Sequence, residues 1–179
     1  MNKALKILVV STSLNPSSKS RNIAKAIQNS LESSGADVDW VDLQDHVLPF
    51  CDGQDSNKTP EALALRKKVD GADGIVMAAP VYNYDLNAAA KNFIELTGRA
   101  WTGKVVALAV AAGGQRSGMS PLGMMNSLML DFRCIVLPRY VYLSRGSYTD
   151  DGLPNDAATE RIEELSAELL RISGALKGC

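Results

Sequence analysis

The sequence predicts an α/β fold with one parallel sheet covered by helices on both faces, and three observations predict it. Strand and helix patterns alternate along the whole chain. The strand segments Leu5 to Val10 and Lys104 to Ala112 are almost continuously apolar, as strands buried on both faces must be. The 179 residues show a single composition regime with no repeat or long linker, so one domain spanning 1–179 is expected.

Each element has a local reason. Leu5 to Val10 reads as the first strand, and Arg21 to Ser34 as a helix closed by Gly35. Asp37 to Asp42 alternates weakly through Val38, Trp40 and Val41, and Pro49 ends the segment beyond it. Residues 50–59 are polar and turn-rich. Thr59 is placed to cap a helix that begins at Pro60 and runs to about Asp70. Gly74 to Ala79 is the third strand, with Pro80 as its expected end. A helix follows from Asn87 to Thr97, then the strand Lys104 to Ala112 and a helix from Pro121 to Asp131. Ile135 to Leu143 completes the strands, and Asp156 to Leu176 is an amphipathic final helix.

Bulk properties exclude several functions. A formal net charge of -1 gives no electrostatic case for nucleic acid or an anionic membrane. No apolar run reaches transmembrane length, and Lys3 and Lys6 interrupt the N-terminus, so neither a membrane span nor a signal peptide is expected. Cys51, Cys134 and Cys179 are far apart and odd in number, without C-x-x-C spacing, so no zinc or dithiol site is expected. Reduced thiols in a cytoplasmic protein fit that pattern. Cys134 is read as a core residue and Cys179 as exposed.

Chemistry concentrates in three loops that should meet at the carboxyl ends of the strands, where open sheets of this class bind ligands. The first, Ser11 to Arg21, holds five serines, a threonine and an asparagine between a strand and a helix start. Helix N–H groups, the positive end of the dipole and hydroxyls together can hold an anion. The loop has no glycine, which argues against dinucleotide and Walker loops and leaves a monophosphate such as that of FMN. A capped turn of small polar residues is the competing reading. The second loop, Pro80 to Asn87, presents Tyr82, Asn83 and Tyr84: an aromatic wall and an amide suited to a flavin ring. One tyrosine, Tyr84, is expected to pack instead as a hinge between sheet and helix. The third, Ala112 to Gly118, carries Gly113, Gly114 and Gln115, where a backbone could approach a flat ligand or form a flexible turn.

Together these segments make the chain resemble the NADPH-dependent FMN reductase family, over roughly Leu5 to Leu143. The family's first loop, G-S-L-R-x-x-S-x-N/S-R, corresponds to Thr12-Ser13-Leu14-Asn15-Pro16-Ser17-Ser18-Lys19-Ser20-Arg21. Its P-x-Y-N and L-K-N-x-I-D/E segments correspond to Pro80 to Asn83 and Ala90-Lys-Asn-Phe-Ile-Glu95. Its D-L-x-x-x-x-L-P corresponds to Asp42-Leu43 through Leu48-Pro49.

The resemblance implies a flavodoxin-like three-layer sandwich with strand order 2-1-3-4-5. It implies FMN as cofactor and NADPH or NADH as electron donor. Electrons would pass in two steps, first from the nucleotide and then to a quinone, flavin, azo or metal acceptor. Ser11, Ser13, Asn15, Ser18, Ser20, Arg21 and Asn22 would belong to the phosphate end of the site. Pro80, Val81, Tyr82 and Asn83 would line the ring, with Gly113, Gly114 and Gln115 on its other side. The family's first-loop arginine is Asn15 here, which replaces a cationic contact by a neutral one. The resemblance also implies a homodimer or homotetramer.

Other residues complete the expectations. No acid–base pair is needed, and His46 is expected in a loop away from the site. Arg116 is a candidate for the NADPH 2′-phosphate. Trp40 and Trp101 are read as packing residues. A flavodoxin-type electron carrier is the main alternative, although its usual strong acidity is missing. A receiver-type signalling domain would need acids where Ser11 and Ser13 stand. In the fourth helix, Leu122, Met125, Met129 and Phe132 are expected to cover the sheet. Met124, Leu128 and Met119 are then left as an uncovered stripe for a second subunit.

Overall fold

The computed structural model describes residues 4–177, so Cys179 lies outside the described residues. Strand β1 (Lys6–Ser11), β2 (Asp37–Asp42), β3 (Gly74–Tyr82) and β5 (Val105–Ala111) form the body of a parallel sheet. A short β4 (Asp85–Leu86) turns back antiparallel on β3. The outer edge is shared by β6 (Ile135–Val136) and β7 (Val141–Leu143), both parallel to β5. The order is β2-β1-β3-β5-β6, with β7 continuing the outer position, which is the doubly wound arrangement expected.

Five helices cover the sheet: α1 (Lys19–Ser33), α2 (Pro60–Gly71), α3 (Ala88–Thr97), α4 (Leu122–Phe132) and α5 (Asp156–Lys177). Strand alternation sorts the core into two halves. Leu8, Val10, Ile75, Met77, Val106 and Leu108 point toward α2, α3 and α4. Ile7, Val9, Val76, Ala78, Ala107 and Ala109 point toward α1 and α5. The second face includes the small residues Gly74, Ala78, Ala107 and Ala109, which let those two helices lie close. At Gly74 even a Cβ would sit 2.5 Å from Ser173 Oγ of α5, so any larger residue would force that side chain to move.

The cap of α2 is where its sequence predicts, whereas α1 begins at Lys19, two residues before the expected Arg21. Ser18 caps α1 by accepting from Arg21 N, and Thr59 caps α2 by accepting from Ala62 N with Pro60 next. Trp101 is fully buried, meets Phe93 edge-on at 5.8 Å, and donates its indole N–H to Thr97 Oγ1 at 2.8 Å.

Four expectations are corrected. Pro80 does not end its strand; β3 runs on to Tyr82, because Pro80 still offers its carbonyl, which accepts from Asn87 N at 3.2 Å. The last strand is not continuous, since the turn containing Pro138 divides it into β6 and β7. Tyr84 is no hinge: it is 56% exposed in a hairpin turn where Asn83 and Tyr84 both adopt positive φ, 51° and 68°. The two stripes of α4 are partly exchanged: Met125 and Phe132 pack on the core and Met119 is exposed as expected, but Met124 and Leu128 change places with Leu122 and Met129. Met124, Met125 and Leu128 face the core, while Leu122 and Met129 are exposed beside Met119.

Candidate functional site: four loops at the carboxyl edge

The loop after β1 is unusually well buried for a polar segment. Ser11, Thr12, Ser13, Ser18 and Ser20 are all buried. Such hydroxyls must find partners or lose stability. Ser18 Oγ and Ser20 Oγ lie 2.8 Å apart, and Ser13 Oγ accepts from Asn15 N at 3.3 Å. Ser11 Oγ is buried without any partner. Lys19 and Ser20 open α1, so their backbone N–H groups face outward from the positive end of a helix of 15 residues. A cluster of hydroxyls at that helix end has the donor set a phosphate needs.

Arg21 holds this loop from beneath. Its guanidinium is ion-paired with Asp42, which is itself buried at the end of β2. It also donates to the carbonyls of Asn15 at 2.8 Å, Pro16 at 3.1 Å and Ser13 at 3.1 Å, and to Gln44 Oε1 at 2.6 Å. Every guanidinium nitrogen is thereby committed to the protein. Asn15 Oδ1 accepts from Ser17 N at 3.0 Å, closing a local turn. Asn22 donates to Gly152 O at 2.9 Å, so its amide binds the loop after β7 to α1.

The second loop is fastened to the first by a residue that sequence reasoning passed over. Asn87 is buried; its Nδ2 donates to Thr12 O at 2.7 Å, and its Oδ1 accepts from Thr12 Oγ1 at 2.8 Å. Its only sequence signal was its position before α3. Beyond it, Tyr82 and Asn83 stand exposed at the hairpin tip, while Pro80 is buried and Val81 half-buried. A cleft of about 570 Å³ opens on the outer side of this hairpin, lined in part by Tyr82, Asn83, Phe50 and Asn92.

The third loop is held by tyrosines of the outer edge. Tyr142 donates to Gly114 O and lies 2.9 Å from Ser117 Oγ, and Tyr140 donates to Gly118 O. Gly113 and Gly114 have no positive φ, and a Cβ on either would meet no atom within 4 Å. They present open backbone, and no special turn requires glycine at either position. Gln115 and Arg116 are exposed next to them.

A fourth loop, residues 144–155, lies against the start of α1 and was not anticipated. Tyr148 packs on the α1 side with Lys19 Nζ 4.7 Å above its ring. Its hydroxyl is buried without a partner, and burial pushes its ionisation up to about 12.

His46 lies away from these loops, hydrogen-bonded through Nδ1 to the Glu61 carboxylate. No group of three or more histidines, cysteines or carboxylates is arranged for a metal among the described residues.

This geometry pairs a hydroxyl cage at a helix start with an aromatic–amide hairpin and an open glycine backbone. Residues 5–147 match the family described as NADPH-dependent FMN reductase. The chain belongs to that family. Its curated relatives include an NADPH azoreductase from Bacillus sp. strain OY1-2, 28% identical over 92% of this chain and 90% of its own length. They also include an NAD(P)H:quinone oxidoreductase from Solanum tuberosum, 28% identical over 97% of this chain and 95% of its own length. Among solved structures, the flavoenzyme NAD(P)H:(acceptor) oxidoreductase FerB from Paracoccus denitrificans superposes with a TM-score of 0.79 at 18% identity, covering 96% of this chain and 98% of that one. A flavodoxin from the domain Archaea also superposes, with a TM-score of 0.69 at 18% identity over 95% of this chain and 99% of that one. The fold is therefore common to carriers and enzymes, and the family match separates them. The chain is an FMN-dependent NAD(P)H reductase by family.

Proposed function

We propose that this reductase holds FMN across the four loops, takes electrons from NAD(P)H and passes them to a small acceptor, a quinone or an azo compound. The observation that carries the reading is the buried hydroxyl cluster Ser13, Ser18 and Ser20 at the start of α1, tied through Asn87 to the Tyr82–Asn83 hairpin. The phosphate would sit among those hydroxyls and the N–H groups of Lys19 and Ser20. Pro80, Val81, Tyr82 and Asn83 would line one side of the ring system, with Gly113, Gly114 and Gln115 along the other. When bound, FMN supplies the electron-transfer chemistry. The protein binds, orients and leaves one edge open to a second reactant.

Three residues expected at the phosphate act, in this reading, by shaping its loop. Arg21 braces the loop carbonyls against Asp42, Asn15 closes the turn, and Asn22 anchors the fourth loop. Ser11, whose hydroxyl is buried and unpartnered, lies directly under the cage.

Exposed Met119, Leu122 and Met129 form an apolar strip for a second copy of the chain. A homodimer or homotetramer is the expected assembly. No described helix is long and apolar enough to cross a membrane. A cytoplasmic location is proposed from the unpaired cysteines.

The ultraviolet–visible spectrum and NADPH oxidation test the reading. Purified protein should show flavin absorbance, or acquire it with added FMN, and should bleach NADPH when given FMN and a quinone. Flavin binding without NADPH oxidation would instead mark an electron carrier.

A further inference from the structure

Two arginines with no part in the flavin site stand together at the outer edge of the sheet. Arg139 lies in the turn that divides β6 from β7, and Arg161 lies early in α5. Both line a polar cleft of about 570 Å³ together with Gln115, Gly118, Tyr142 and Ser147. A second cleft, of about 540 Å³, adjoins it and shares Arg139, Arg161, Pro138 and Tyr140. Neither guanidinium has an ion pair or hydrogen bond among the described residues.

No carboxylate is ion-paired with either arginine among the described residues. Glu164 and Glu168 line the adjoining cleft, and Glu168 accepts from Arg171 at 2.7 and 2.8 Å. Two uncommitted guanidiniums from different elements thus face one cavity. Planar forks of this kind suit a phosphate dianion, which accepts several hydrogen bonds at once.

The cleft also opens on the third loop. Gln115 and Gly118 belong to the segment that the proposed function sets beside the flavin ring, so a donor nucleotide reaching that ring passes the cleft's rim. The group that distinguishes NADPH from NADH is a phosphomonoester on its adenosine. We propose that Arg139 and Arg161 form a subsite for the 2′-phosphate of NADPH and give this chain its preference for the phosphorylated donor. The role moves from Arg116, which is exposed on the loop and does not line the cleft. This inference rests on the reading that the donor is a pyridine nucleotide.

Direct binding tests it independently of turnover. Calorimetric titration of the FMN-loaded protein compares adenosine 2′,5′-bisphosphate with AMP and with inorganic phosphate. Wild-type protein should bind the bisphosphate about tenfold or more tighter than AMP, a difference of about 1.4 kcal/mol or more. The Arg139→Ala/Arg161→Ala variant should lose that difference, and the corresponding double lysine variant should recover part of it. In steady-state assays the double alanine variant should raise the KM for NADPH more than the KM for NADH. Equal binding of the two nucleotides by wild type, or an undiminished preference in the double variant, overturns the subsite. So does inorganic phosphate binding as tightly as the bisphosphate, which would mark a general phosphate site. If Arg116→Ala alone abolishes the preference, the assignment also falls. A protein that binds the bisphosphate as expected but never oxidises NADPH keeps the subsite and loses the reductase reading.

Discussion

Arg21 shows how one side chain changes meaning between sequence and structure. In the motif it stands at the end of a phosphate loop, where a cation is expected to meet the anion. In the fold its guanidinium is spent on Asp42, Gln44 and three loop carbonyls. A carbonyl-studded loop around a bound anion is repulsive unless something draws those oxygens away, and Arg21 does so from below. Asp42→Asn should therefore weaken FMN binding by about tenfold, about 1.4 kcal/mol, in a fluorescence titration. Riboflavin, which lacks the phosphate, should show no comparable loss. Equal losses for both ligands would mean that the pair only supports the fold. Cysteine chemistry gives a second residue-level expectation. Burial raises Cys134 from 9.0 to about 11, and its thiol donates to Trp101 O at 3.1 Å. The neutral thiol is the form the fold favours, so its contribution to stability is complete below about pH 9 and lost as pH rises toward 11. Native protein treated with iodoacetamide at pH 8 should be alkylated at the half-buried Cys51 and spared at Cys134, as read by peptide mass mapping.

At the scale of elements, α4 separates periodicity from packing. The helix is apolar on most sides, through Leu122, Met124, Met125, Leu128 and Met129, so spacing alone supported either of two stripes. Contact with the sheet chose Met124, Met125 and Leu128. Leu128→Ala should cost about 2–5 kcal/mol in a denaturant titration, as expected for a fully buried leucine. Leu122→Ala, at an exposed position, should stay within about 0.5 kcal/mol under conditions that keep the chain monomeric. Comparable losses at both positions would contradict the observed orientation. The hairpin between β3 and β4 carries no turn signal in the sequence, for a different reason. Two-residue turns of this type are signalled by Asn-Gly or Asp-Gly, and here the second position is Tyr84 at φ 68°. A bulky residue in the left-handed region runs against local preference, and such departures gather where a site needs a particular display.

For the whole molecule, the alternation of β and α units led to a parallel sheet with helices on both faces, and the family resemblance to its strand order. The assembly follows from the surface that the fold leaves open. Met119 is 59% exposed, Leu122 41% and Met129 39%. Gly123 at the start of α4 lies so near the hairpin that a Cβ there would stand 3.7 Å from the Asp85 carboxylate. Light scattering should report a dimer or tetramer, and Leu122→Glu/Met129→Glu should shift it toward monomer. A monomeric wild type would reject the interface.

The sequence by itself determined the layer architecture, the cap of α2 at Thr59, and the positions of three polar or glycine-bearing loops at the carboxyl ends of the strands. Those features depend on neighbours within a few residues, or on a repeated strand–helix pattern that admits one handed solution. Tertiary structure alone decided which groups remain free for a ligand. It committed Arg21 and Asn22 to other parts of the chain and introduced Asn87, Tyr140, Tyr142 and Tyr148 as supports. It also brought Arg139 and Arg161, from separate elements, to one cleft. Availability of a polar group depends on which partner reaches it first, and that partner is distant in sequence.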